Sequence, residues 1–141
     1  MLFDDNFNFP DIDIFPPKIN ESTLVSKEIG LARGNSFEDE YIPYKNYNPG
    51  VLKGTNEKER LLIEILELCF RKIDLNLCLD LEPNNDELLD EFRNCIEKLV
   101  TKESEYVKMY GPLEVMDSTN TNTFTWVSDP WPWENGGNKN V

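Results

Sequence analysis

The chain has 141 residues, with 27 acidic against 14 basic side chains, a net charge of −13 and no histidine. That size suits one small domain with tails. The acidic balance argues against nucleic-acid binding, which needs clustered Lys and Arg. Lack of histidine excludes a Ser-His-Asp triad, a Cys-His pair and a His-ligated metal within this chain. Apolar runs stop at three residues, as at Leu61-Leu62-Ile63, too short for a membrane-spanning helix. The start, Met1-Leu2-Phe3-Asp4-Asp5, has neither the basic region nor the apolar core of a signal peptide, so the sequence predicts a protein used without passage through a membrane.

Charge and turn residues divide the chain. Residues 1–28 mix Phe3, Phe7, Phe9, Ile12, Ile14 and Phe15 with Asp, Asn and Pro. Their brief alternation is interrupted by Pro10 and Pro16-Pro17, and the composition predicts a disordered acidic tail or a linear docking segment. Residues 29–54 are punctuated by Gly30, Gly34, Pro43, Pro49 and Gly50 and are expected to be extended. Tyr41, Tyr44 and Tyr47 recur every three residues, which in a polyproline-II strand places them along one edge as a docking strip. An ordered loop around the core is the plainer alternative.

Residues 55–112 carry the regular apolar spacing. Asn56 with Glu59 is a helix-start pattern, and the helix is expected to run to about Leu79. Leu61, Leu62, Ile65, Leu66, Leu68, Cys69, Phe70, Ile73, Leu75, Leu77 and Leu79 cover more than half its circumference. Arg60, Glu64, Glu67, Arg71 and Asp74 share the narrower polar arc. Pro83 then interrupts the chain. Asn84 with Glu87 predicts the start of a second helix, and Gly111-Pro112 its end. Its stripe of Leu88, Leu89, Phe92, Cys95, Ile96, Leu99, Val100, Tyr106, Val107 and Tyr110 covers about a third of the wheel. A short link between two long helices makes them antiparallel. The fold class expected is therefore all-α, an antiparallel helical hairpin with extended, partly disordered N- and C-terminal segments. The first helix has too much apolar surface for one partner, so it should pack against a flanking segment, a second copy or another protein.

Polar residues within the apolar faces are few. The antiparallel register sets Glu103 opposite the stretch from Arg60 to Glu64. A salt bridge to Arg60 is the ordinary expectation, and a Glu64–Glu103 pair holding a metal is the sharper one. Asn76 falls in the stripe of the first helix. Cys69, Cys78 and Cys95 lack metal-binding spacing and read as small core residues. No cofactor is expected.

Residues 113–141 begin with a Thr- and Asn-rich linker and then concentrate all three tryptophans. Trp126, Trp131 and Trp133 lie within eight residues, the last two alternating with Pro130 and Pro132. Proline holds such a segment extended, so docking its aromatic plates costs little entropy. It can fold back on the wide face of the first helix or anchor a partner.

Three motifs in order resemble the bacterial spore coat protein JB (CotJB) family. They are the run Ile73-Asp74-Leu75-Asn76-Leu77-Cys78-Leu79-Asp80-Leu81-Glu82-Pro83, then Tyr110-Gly111-Pro112-Leu113, then Pro130-Trp131-Pro132-Trp133-Glu134. The chain departs at Cys78, where Tyr is usual in the family, and at Glu82, where His is common. Residues from Leu31-Ala32-Arg33-Gly34-Asn35 to Tyr41-Ile42-Pro43-Tyr44 are more faintly similar to the Tyr/Pro-rich companion coat protein JA, or to an extension found in some JB members. The resemblance implies a small structural component, made in the mother-cell cytoplasm and assembled into the spore coat. It implies other coat proteins as partners, a manganese-catalase-like protein among them, and no catalytic residues. The contact residues expected are Tyr41, Tyr44, Tyr47, Trp126, Trp131 and Trp133, in a homo- or hetero-oligomer. The competing readings are a carboxylate-based metal-binding subunit of an oxidoreductase complex, detectable by its metal content, and an acidic inhibitor of a basic protein, detectable by salt-sensitive binding.

Overall fold

A computed structural model describes residues 23–120 and 122–127. The acidic Phe-rich stretch before Thr23 lies outside the described residues, as do Trp131 and Trp133. The described residues form helices α1 (Lys27–Arg33), α2 (Glu57–Leu81) and α3 (Asp86–Tyr110), with 3-10 turns at Val115–Asn120 and Thr125–Val127. They are all-helical apart from one isolated antiparallel bridge between Leu24 and Phe37.

Local chemistry accounts for the hairpin. The Asn56 side chain accepts from the Glu59 N–H at 2.8 Å, satisfying one free donor of the first turn. Glu59 reaches back to the N–H and hydroxyl of Thr55, one residue beyond the usual reciprocal cap. These hydrogen bonds hold its carboxyl below the usual range. α2 continues to Leu81, two residues past the predicted end, because nothing before Pro83 obstructs it. The cap of α3 is Asn85 rather than the predicted Asn84: its side chain accepts from the Leu88 N–H at 3.2 Å and donates to Glu82 at 2.8 Å. Gly111 closes α3 with φ 103° and ψ −179°, backbone that disfavours a side chain.

α2 and α3 pack through Leu61, Ile65, Leu68, Leu75 and Cys78 against Leu88, Cys95, Leu99 and Tyr106. Phe37 joins this core from outside the hairpin. It belongs to a strap, residues 23–41, that lies along α2. Two expectations change here. Residues 23–28, grouped by composition with the acidic tail, are part of the strap. Residues 29–33, expected to be extended, belong to the helix Lys27–Arg33, with Ser26 as N-cap and Gly34 as C-cap. The Ser26 signal was present in the sequence, but a seven-residue helix is too short for periodicity to show.

The strap answers in part the expectation that α2 needs a further partner, yet it lies mainly along the polar arc, with Phe37 and Leu24 reaching the core. Arg71, with 3 % of its surface exposed, donates to the Val25 carbonyl. Asp74 accepts from the Ser36 N–H at 2.8 Å. Glu67 is buried beside them. A polar arc is covered here because its charged groups meet strap backbone that needs partners.

Candidate docking surface

The Tyr/Pro segment leaves the strap at Tyr41. That ring is half-buried, with the Arg33 guanidinium 4.0 Å from its centroid. Arg33 also pairs with Glu38 at 2.5 Å, so Tyr41 is engaged within the chain. Tyr44 and Tyr47 are exposed, Tyr44 to 80 %, with Ile42 and Leu52 exposed near them in sequence. The three tyrosines do not share one straight edge. A turn closes from the Tyr47 N–H to the Tyr44 carbonyl at 3.1 Å, and Asn46 takes φ 56°. Asn tolerates this left-handed conformation, a signal the three-residue spacing concealed.

Trp126 is half-buried within the second 3-10 turn, which contacts the first. Asp117 accepts from the Leu113 and Glu114 N–H groups at 2.9 and 3.0 Å, folding the chain back after α3.

A second apolar surface was not isolated by the sequence reading. Leu66, Ile73, Leu77 and Leu81 of α2 are 44 to 57 % exposed, with Phe70 half-buried among them. At 100° per residue these five fall within about 80° of arc, roughly opposite the face that meets α3. Sequence had assigned all but Leu81 to one wide face; the hairpin and strap divide the helix into a core side, a covered polar side and this open side. Asn76, read as part of the apolar stripe, is exposed.

The expected carboxylate chemistry is arranged differently. Lys102 Nζ pairs with Glu64 at 3.1 Å and Glu105 at 3.5 Å, while Arg60 Nε donates to the Asn56 carbonyl at 3.2 Å. Glu103 therefore takes neither Arg60 nor Glu64 as its partner. Burial is the main cause raising its carboxyl pKa; Lys72 opposes the rise, while Glu114 and Asp117 add to it. One residue along a helix turns a side chain by 100°, enough to exchange Lys102 for Glu103 in that contact. Among the described residues no group of three or more Cys, Asp and Glu converges as a metal site.

All three cysteines are free thiols. Burial pushes Cys78 up to about 11 and raises Cys69 and Cys95 as well, which keeps them protonated and poorly nucleophilic. Cys95 donates to the Leu68 carbonyl at 3.4 Å. Beside Arg71, a cleft of about 390 Å³ is lined by both Lys27 and Lys98 and by Glu28 and Glu91, so its charges largely offset one another.

Together these features define a small helical-hairpin protein with a strapped polar face and exposed aromatic and aliphatic surface. No described helix is long and apolar enough to cross a membrane. Residues 59–134 match the family model described as CotJB protein. The chain belongs to the CotJB family, a family of spore coat proteins. No curated protein and no solved structure gives a match.

Proposed function

We propose that this chain is a non-enzymatic assembly component of the spore coat, made in the mother-cell cytoplasm and held in the coat by docking onto another coat protein. Membership of the family over residues 59–134 carries the reading. The exposed Tyr44 and Tyr47 support it, since tyrosine supplies large contact area with few rotatable bonds. Tyr41 positions this surface through Arg33. A manganese-catalase-like coat protein is the partner in this reading, and any metal belongs to that partner. The role requires Tyr44 and Tyr47 and stands whether Trp131 and Trp133 face the partner or α2.

Co-expression with the catalase-like protein, followed by affinity capture, tests it. The full chain should be captured, and Tyr44→Ala/Tyr47→Ala should lose capture while its melting transition is unchanged. Failure of the full chain to be captured removes that partner. Undiminished capture of the double variant removes the tyrosine surface. Normal growth of mature spores with the chain absent from their coats removes the coat role.

A further inference from the structure

We infer that the open side of α2 is the seat of the chain's own Trp/Pro segment, with Trp131 and Trp133 packed against Leu66, Phe70, Ile73 and Leu77. Five large apolar side chains along one helix are more than a solvated surface ordinarily gathers in a single stripe. The position at which the described chain stops favours this occupant. After α3 the chain folds back through Val115–Asn120, where Asp117 lies within electrostatic reach of Glu103. Glu103 in turn acts on Cys69 and feels Lys72. On the helix wheel Cys69 borders the open stripe on the flank away from the strap, and Lys72 lies about 60° beyond it, toward α3. The Thr125–Val127 turn contacts the first 3-10 turn, so Val127 leaves from this part of the molecule.

Reach and spacing agree. Trp131 and Trp133 follow Val127 by four and six residues, which an extended proline-rich chain covers in about 12 and 19 Å. Leu66 and Leu77 lie about 16 Å apart along the helix axis. Trp131 and Trp133 are about 6 Å apart in such a chain, close to the about 6 Å rise from Ile73 to Leu77. A second copy is the weaker occupant, because two chains of net charge −13 repel one another. The family match includes the stripe and the Trp motif in one continuous stretch, residues 59–134.

The test uses the full chain with Trp126→Phe, so that fluorescence reports Trp131 and Trp133 alone. Seating predicts blue-shifted emission from a protein that sediments as a monomer at every concentration. Leu77→Lys should shift that emission to the red; Leu77 is more than half exposed, and unchanged far-UV dichroism will show that the helices persist. Trp131→Ala/Trp133→Ala should raise binding of a hydrophobic dye and speed amide exchange between residues 66 and 81. Red emission that Leu77→Lys leaves unchanged would overturn the proposal. So would a concentration-dependent dimer that Leu77→Lys dissociates, since a second copy would then be the occupant.

Discussion

Replacing Asp74 by alanine removes the acceptor for the Ser36 N–H, a donor on a residue with no exposed surface. A hydrogen bond to a charged group contributes about 1.5–3 kcal/mol. Asp74 is half-buried, which places the loss near the lower end, about 1.5–2 kcal/mol. The strap has two further backbone links of its own, Val25 N–H to Ser36 at 3.0 Å and Glu38 N–H to Thr23 at 2.8 Å. If it opens apart from the hairpin, exchange at the Val25, Ser36 and Glu38 amides should accelerate roughly ten- to thirtyfold. If it opens only with the core, melting should fall by about 6–16 °C. Hydrogen exchange read by NMR, together with calorimetry, separates the two cases. Asp74→Asn keeps an oxygen acceptor without the charge and should fall between wild type and alanine. Unchanged exchange at all three amides in Asp74→Ala, with unchanged melting, would refute the claim that this contact holds the strap.

Three other outcomes are expected. Gly111→Ala forces a side chain onto φ 103° and should cost about 1–3 kcal/mol in urea unfolding; no loss would mean that the α3 terminus relaxes freely. Burial, reinforced by Glu28, raises the carboxyl pKa of Glu67 in the folded chain above its unfolded value. Ionised Glu67 thus weakens the fold above its folded pKa, and protonation relieves the penalty as pH falls towards the unfolded value of about 4.5. Glu67→Gln should therefore stabilise at pH 7 and lose that advantage near pH 4; an equal gain at both would contradict the assignment to ionisation. Alkylation of the native protein should modify the half-buried Cys69 first, with Cys78 and Cys95 protected until unfolding, and equal rates by mass spectrometry would argue against the packing described.

The hairpin was legible because its signals are local. Asn56 and Glu59 act within one turn, Pro83 interrupts within its own residue, and Gly111-Pro112 ends α3 through backbone geometry. A one-residue slip at Asn84 and Asn85 is what two adjacent capping residues allow. The Glu103 assignment failed for a related reason: approximate antiparallel register cannot choose between neighbouring side chains 100° apart.

Residue order alone specifies two long antiparallel helices, an oversupply of apolar surface on α2, and aromatic segments outside the helical pair. It also placed the chain near the coat family through three ordered motifs, and the match over residues 59–134 agrees. Which side of α2 is covered follows instead from contacts between distant residues. Arg71 finds the Val25 carbonyl 46 residues away, and Asp74 finds the Ser36 N–H 38 residues away. Such pairings have no period and no spacing rule. A charged arc reads in one dimension as a solvated face, yet backbone that needs hydrogen-bond partners can bury it. That is why the strap lies on the polar side, and why Leu66, Ile73, Leu77 and Leu81 form an apolar surface still open for packing.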